Sequence, residues 1–321
     1  MKKRKVVPVV YAADDNYVPF LCVSLESIID NLSENVFVEI YILNTGLCFD
    51  NIKKLTDYVS KHCDLMSIEF VDVADRLDSI KDKIHLRDYY TKAIYYRIFI
   101  PSLFPKYDKI LYIDCDTVLL RDVSDLYNVE LGKNIIAAVH EEAMSSFDCF
   151  GLYSELFLGV PRMCYFNSGV LVINTREYLK EQIETKFIDL MLSEKFEVAP
   201  DQDYLNVLLQ GKVKLLDIGW NKTPIPDKNF SNDLIYLVHY KLNFKPWHYQ
   251  GVKYEEYFWR FAQKTPYYSL LIKMRDDYSP LDKKTDEEAF NRLQNTALVY
   301  VKNKCRLRNV LDKTSWEQVN A

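Results

Sequence analysis

Short apolar runs alternate with amphipathic segments along the first 240 residues. The run KVVPVVY at 5–11 is typical of a strand covered on both faces, and VPFLCVSLESIIDN at 18–31 has apolar residues at helical spacing. The same patterns predict further strands at 37–44, 66–73, 109–114, 134–140, 169–174, 212–218 and 234–240. Strands and helices in alternation favour an α/β fold, with a Rossmann-like, mixed and mostly parallel sheet between flanking helices.

The pattern changes near residue 250, where aromatic and then helical segments replace the alternation. The stretch TDEEAFNRLQNTALVYVKNK at 285–304 predicts a long helix. We therefore expect an α/β domain over 1–250 and a helical C-terminal extension over 251–321.

Composition narrows the class of protein. The chain has 321 residues, 49% of them hydrophobic and 27% charged, with a net charge of −5, which does not suggest a general nucleic-acid role. No apolar run approaches the length of a membrane span, and the basic start soon meets Asp14 and Asp15, so we expect no signal peptide. The seven cysteines form no CxxC pair and are typical of reduced thiols, which predicts a cytoplasmic location.

Glycine is scarce, with eight residues in the chain, and neither GxGxxG nor a P-loop is present. If the protein binds phosphates, a group other than a glycine-rich loop must neutralise their charge.

Two acids end the predicted strand KILYID, in the run KILYIDCDTVLLRD at 109–122. Ligands of open α/β sheets bind at the carboxyl ends of strands, and residues i and i+2 of an extended segment point the same way. Asp114 and Asp116 could therefore hold Mg²⁺ or Mn²⁺ together. Solvated acids of a turn are the simpler alternative.

Two other strand ends carry polar residues. Asp14, Asp15 and Asn16 follow the first strand, where they could equally cap the next helix. His239 ends the strand at 234–240; it is either a packed or surface histidine or a third metal ligand. Lys245 follows it and would be available to a phosphate.

Five segments together resemble glycosyltransferase family 8, which includes bacterial lipopolysaccharide galactosyl- and glucosyltransferases and glycogenin. They occur in family order and cover most of residues 5–250: VVYAADDNYVPFLCVSLESI, YYRIFIPSLFPKYDKILYIDCDTVLLRDVSDLY, YFNSGVLVINTREY, PDQDYLNVLL and VHYKLNFKPWH. The resemblance implies a GT-A fold and retaining transfer of a hexose from UDP-galactose or UDP-glucose to a glycan acceptor, with Mn²⁺ or Mg²⁺ on the diphosphate.

The resemblance also implies roles for individual residues. The metal ligands would be Asp114, Asp116 and His239. The uridine would contact Ala12, Asp14, Asn16 and Tyr17, with Tyr17 stacking on uracil. Arg97 would contact the donor and Lys245 the diphosphate. The sugar would be surrounded by Asn167, Asp201 and Gln202, and Glu141 would lie near the acceptor. Each also has an ordinary structural interpretation, such as an ion pair for Arg97 or a helix cap for Asp201.

One position departs from the family pattern. Members usually carry a glycine two or three residues after the histidine, as in HYxG, whereas this chain has Leu242 there. A Cβ at this position is expected to hinder close approach of the backbone to the diphosphate, and Lys241 could compensate with its charge.

The C-terminal segment and the protein class each leave an alternative. Aromatic residues followed by basic ones (Lys302, Lys304, Arg306, Arg308 and Lys313) fit either a helical cap on the domain, which we favour, or peripheral contact with the inner membrane face.

A nucleotidyltransferase would normally carry a glycine-rich N-terminal loop, which this chain lacks. A non-catalytic nucleotide-sugar-binding protein of the same fold stays open.

Overall fold

The computed structural model describes residues 4–78, 80, 84, 91–225 and 230–302. Within these residues the chain forms nine strands: β1 (Lys5–Ala12), β2 (Val36–Asn44), β3 (Met66–Asp72), β4 (Lys109–Ile113), β5 (Thr117–Leu119), β6 (Ile136–His140), β7 (Phe166–Asn174), β8 (Val213–Leu215) and β9 (Leu237–His239).

Helices connect and flank these strands. They are α1 (Val18–Asn31), α2 (Phe49–Ser60), α3 (Ala74–Asp78), α4 (Ile100–Leu103), α5 (Val123–Tyr127), α6 (Glu142–Ser146), α7 (Asp148–Tyr153), α8 (Thr175–Lys180), α9 (Ile183–Ser193), α10 (Pro200–Leu208), α11 (Glu255–Ala262), α12 (Tyr268–Asp277) and α13 (Pro280–Lys302). Tighter 3₁₀ turns cover Lys92–Phe99, Arg162–Cys164, Ile218–Asn221 and Asn232–Leu234, and a π turn covers Ser154–Leu158.

Seven strands form one sheet in the order β3-β2-β1-β4-β7-β6-β8. The neighbours β3, β2, β1 and β4 are parallel, β7 runs antiparallel to both β4 and β6, and β8 is parallel to β6. The prediction of a mixed, mostly parallel sheet between helices is therefore confirmed.

Side chains of β1 alternate between two hydrophobic cores, one on each face of the sheet. Val7, Val9 and Tyr11 pack with α1 and α11, whereas Val10 and Ala12 face the core that includes α9 and α13. The alternation follows from the two-residue period of an extended chain. Coverage on both faces explains why the strand is an unbroken apolar run.

The strand predicted at 234–240 is shorter than expected and lies outside the main sheet. As β9 it pairs with β5 in a two-stranded antiparallel ladder, in which Thr117 lies opposite His239. The amide of Tyr240 extends this ladder by donating to the carbonyl of Asp116 at 2.9 Å. The segment between β4 and β5 is thus held against the end of β9. The strand expected at 212–218 is likewise reduced to β8.

The C-terminal helices complete the two cores. Phe258 of α11 is buried with α1, and Leu293 of α13 is buried in the opposite core. The long helix expected at 285–304 is confirmed as α13, which begins earlier, at Pro280. The domain boundary near 250 stays a prediction, and Lys304, Arg306, Arg308 and Lys313 lie outside the described residues. In the part of the chain that the structure describes, no helix combines the length and apolarity needed to cross a bilayer.

The loop after β9 has an unusual backbone conformation at Leu242, where φ is 53°. L-residues avoid this left-handed region at a cost of about 1–2 kcal/mol, whereas glycine adopts it freely. The loop therefore keeps a conformation that suits the glycine usual in similar sequences, although a leucine occupies the position.

We expect substitutions of Leu242 to separate backbone strain from side-chain loss. Leu242→Gly should change the free energy of unfolding by no more than about 1 kcal/mol, because relief of strain offsets the greater entropy of the unfolded chain. Leu242→Ile should destabilise by about 1 kcal/mol or more, because a β-branched residue tolerates positive φ poorly. Urea denaturation measures both, and Leu215→Ile on the exposed side of β8 is the control. A Leu242→Ile variant as stable as the parent would contradict this account.

Candidate active site

Two strand pairings bring Asp114, Asp116 and His239 together. Asp114 directly follows β4, and its amide donates to the carbonyl of Gly169 on β7 at 2.8 Å. Asp116 directly precedes β5, whose first residue lies opposite His239 of β9. The antiparallel registers therefore deliver three side chains to one point, although His239 lies more than a hundred residues further along the chain.

The three side chains form a compact ligand set. One ligand atom from each lies within 4.8 Å of the others, and His239 Nε2 is 3.1 Å from Asp116 Oδ1 and 3.7 Å from Asp114 Oδ2. His239 Nδ1 lies 2.9 Å from Asn221 Oδ1. Since that amide oxygen only accepts, Nδ1 is the donor, and Nε2 of the neutral ring carries the lone pair that faces the carboxylates.

Gly169 leaves room for this set. A Cβ at position 169 would lie 2.4 Å from Asp114 Oδ2 and 2.4 Å from His239 Cε1, well inside van der Waals contact. Two carboxylates and an imidazole with a free Nε2 match the ligands of Mn²⁺, and carboxylates those of Mg²⁺. The residues present therefore fit a divalent cation held by Asp114, Asp116 and His239.

Two buried cations contact the carboxylates. The Lys245 ammonium contacts Asp116 Oδ2, and Arg97 Nη2 lies 3.1 Å from Asp114 Oδ1. Burial alone would raise the pKa of Asp116, but attraction to the Lys245 ammonium outweighs it and holds the pKa below its usual value. The carboxylate stays ionised at neutral pH, as a metal ligand must.

Arg97 also joins the carboxylate pair to the residues beyond it. Its Nε lies 3.3 Å from Asp201 Oδ2, and its Nη1 donates to the Ser168 carbonyl at 2.5 Å. Burial raises the pKa of Asp201, while Arg97 acts in the opposite direction. The ion pair expected as the structural alternative for Arg97 is therefore present, and it lies inside the candidate site.

Hydrogen bonds from amide groups connect the side chains that lie next to Arg97 and Asp201. Asn167 Nδ2 donates to Glu141 Oε2 at 2.7 Å and to Gln202 Oε1 at 3.1 Å, and the Ser168 amide donates to the same Gln202 oxygen at 2.9 Å. The other oxygen of Glu141 contacts the Lys241 ammonium. Burial alone would raise the pKa of Glu141, but Lys241 outweighs it and the pKa falls to about 2. These buried groups form one fixed polar surface.

A cavity of about 160 Å³ opens over these residues. Of the residues predicted from sequence, it is lined by Ala12, Tyr17, Arg97, Asp114, Asp116, Glu141, Asn167, Asp201, Gln202, His239 and Lys245. Asp14 and Asn16 are not among the lining residues. Asp14 instead accepts from the amides of Asn16 and Tyr17 at 3.0 and 3.2 Å and so stabilises the turn before α1. The individual roles of all these residues stay predictions.

Sequence reasoning missed three residues that complete the site and the contact made by a fourth. Tyr112 donates to Asp114 Oδ1 at 2.5 Å, and the i, i+2 spacing on one strand could have indicated it. Ser168 lies inside the YFNSG motif and donates to Asp201 Oδ2 at 2.9 Å. Lys241 was considered for its charge but not as the partner of Glu141. Asn221, which orients His239, has no local sequence signal.

Gly169 offers a direct test of the ligand set. Gly169→Ala should weaken Mn²⁺ binding by about tenfold or more, because the new Cβ displaces Asp114 and His239 from each other. Isothermal titration with Mn²⁺ measures the effect. Gly211→Ala is the control: its φ of 72° makes the substitution unfavourable, but its new Cβ has no neighbour within 4 Å and it is not a lining residue. Unchanged Mn²⁺ affinity in Gly169→Ala would show that the cation does not bind between these side chains.

Comparisons with known proteins point to one family. The model of "Glycosyl transferase family 8" matches residues 8–251. The chain is 30% identical over 267 residues to general stress protein A of Bacillus subtilis, which covers 77% of this chain and 89% of the relative. It is also 30% identical to a lipopolysaccharide 1,2-glucosyltransferase of Escherichia coli, over 77% of this chain and 75% of that protein.

Solved structures agree on the fold. The apo structure of the bifunctional glycosyltransferase WbbM superposes with a TM-score of 0.74 at 26% identity, over 86% of this chain, which spans 53% of that protein. The galactosyltransferase LgtC, solved with donor and acceptor sugar analogues, gives a TM-score of 0.66 at 20% identity, over 81% of this chain and 96% of that one. Sheet order, family model and relatives agree, and the chain belongs to glycosyl transferase family 8.

Proposed function

We propose that the protein is a retaining, metal-dependent glycosyltransferase that moves a hexose, galactose or glucose, from a UDP-sugar to a glycan acceptor. The observation that carries this proposal is the Asp114, Asp116 and His239 set, which lines a cavity together with two buried cations. Curated relatives that are named lipopolysaccharide glucosyl- or galactosyltransferases favour lipopolysaccharide or another cell-surface polysaccharide as the acceptor.

The donor end would hold the UDP group. Tyr17 would stack on the uracil and Ala12 would contact the uridine, and Asp14 would act through the turn that carries Tyr17. Mn²⁺ or Mg²⁺, bound by Asp114, Asp116 and His239, would supply Lewis-acid stabilisation of the diphosphate charge. Lys245 would add a positive charge that exchanges its contact with Asp116 for one with phosphate.

The sugar would lie against Asn167, Asp201 and Gln202. A covalent intermediate would need an available nucleophile, but Asp201 Oδ2 is engaged by Arg97 and Ser168, and Gln202 Oε1 accepts from Asn167 and from the amide and hydroxyl of Ser168. We therefore favour attack by the acceptor hydroxyl on the face that UDP leaves. The bond from C1 to the phosphate oxygen breaks, the bond from C1 to the acceptor oxygen forms, and the departing phosphate oxygen takes the acceptor's proton.

Removal of the metal or of one ligand tests the donor site. Mn²⁺ should strengthen UDP binding by about tenfold or more, because the cation stabilises the diphosphate charge. Asp116→Asn should lower UDP-sugar turnover on the order of hundredfold or more, because that stabilisation is lost. Titration calorimetry in Mn²⁺ and in EDTA, and assay of released UDP, measure both effects. The control is Asp57→Asn, an exposed carboxylate paired with Lys53.

Two results would count against this assignment: equal UDP affinity in EDTA, or normal turnover by Asp116→Asn. UDP binding without any UDP release from UDP-galactose or UDP-glucose would instead favour the non-catalytic binding protein.

Stereochemistry tests the mechanism. With water as the acceptor, UDP-α-hexose should yield the α-anomer of the free hexose first, because attack occurs on the face that UDP leaves. Proton NMR recorded faster than mutarotation distinguishes the two anomers. If the β-anomer forms first, transfer is inverting and same-face attack is excluded.

A further inference from the structure

The wall of the cavity beyond Glu141 is apolar. It is formed by Ala143 and Met144 of α6, Phe150 of α7, Val198, Leu242 and Leu293 of α13. All except Leu242 are buried. We call these six residues the apolar wall. Helix α6 directly follows Glu141, the residue expected near the acceptor.

Helix α13 is fixed in place as part of this wall. Asp286 Oδ2 accepts from the hydroxyls of Tyr249 and Tyr278, each at 2.7 Å, which ties the helix to the loop after β9. Further along, Phe290 packs edge-to-face on Phe147, with ring centroids 5.2 Å apart. Leu293 follows Phe290 by one helical turn and reaches the cavity. The last described helix therefore shapes the candidate site.

The apolar wall restricts the chemistry of what binds there. Glu141 and Lys241, two charged residues of the cavity lining, contact each other. Hydroxyl groups of a fully polar glycan placed against aliphatic side chains would lose their hydrogen bonds to water, whereas an apolar group would gain by leaving water.

We propose that the apolar wall is an acceptor subsite that binds an apolar group attached to the acceptor sugar, and that Leu293 determines this specificity. The inference rests on the proposed function and names the acceptor class for the same cavity. An acceptor whose glycosylated sugar carries an alkyl or aryl substituent binds more tightly than the same sugar without it.

A matched pair of probes tests the subsite without knowledge of the natural acceptor. Hexyl and methyl β-D-glucoside are added to the Mn²⁺-loaded enzyme with UDP-sugar, and UDP release is followed. A glucoside that accepts the hexose raises the rate of UDP release, whereas one that binds and only excludes water lowers it. In either case, the glucoside concentration that gives half of the full effect measures its binding. The hexyl glucoside should act at a concentration at least about tenfold lower than the methyl glucoside.

Variants of α13 assign the effect to Leu293. Leu293→Asn should reduce the preference for hexyl glucoside to less than about threefold, while UDP affinity and the thermal midpoint report that the donor end and the fold persist. Leu293→Met, which keeps an apolar side chain, should retain the preference. Leu298→Ala, on the partly exposed side of the same helix, is the control and should behave as the parent.

Equal half-effect concentrations of the two glucosides, or an undiminished preference in a folded Leu293→Asn, overturns the inference. If Leu293→Asn does not fold, Leu293→Phe is measured instead. Its larger side chain fills the subsite, so the preference for hexyl glucoside should be lost, and an undiminished preference would overturn the inference. Failure of UDP itself to bind the parent enzyme would overturn the proposed function instead, and calorimetry with UDP distinguishes the two failures.

Discussion

Two carboxylates, one residue apart at a buried strand end, require positive charge beside them. Asp114 and Asp116 repel each other and lose hydration there, a cost that only close cations offset. Arg97 and Lys245 supply this charge, and the segment that carries both His239 and Lys245 lies more than a hundred residues further along the chain than Asp116. The folded chain is thus organised around this charge balance. Loss of one cation leaves an uncompensated carboxylate, so the electrostatics of the site and the stability of the fold are coupled.

Sequence patterns predicted the sheet, its helices and most of the charged residues that line the cavity, because those features have local signals. Unbroken apolar runs indicate strands covered on both faces, and acids at a strand end lie where ligands of such sheets bind. The pairing of β5 with β9 had no comparable signal, because each strand is only three residues long and its partner lies far along the chain. Asn221 was missed for the same reason: its contact with His239 exists only after that ladder forms.

Leu242 departs from the usual glycine of the motif but has a backbone conformation that suits glycine. A Cβ here is expected to hinder close approach of the backbone to the diphosphate, yet φ at this position is positive, as a glycine would allow. The surrounding residues evidently determine the loop path: Lys241 contacts Glu141, and Asn243 donates to the carbonyl of Asp286 at 3.3 Å. A small local strain is then tolerated because contacts on both sides hold the loop. The leucine side chain consequently faces the cavity, where it adds to the apolar wall.

The residues expected to bind the donor and those of the apolar wall come from different kinds of segment. The donor end depends on short motifs at strand ends, so similar sequences reveal it. The apolar wall combines α6, α7, the loop after β9 and α13, and the family model stops at residue 251, before α13 begins. A residue such as Leu293 therefore reaches the site from a segment that the family pattern does not describe. Because binding energy depends on the surface that the acceptor meets, the proposed acceptor subsite depends on a helix that lies beyond the residues matched by the family model.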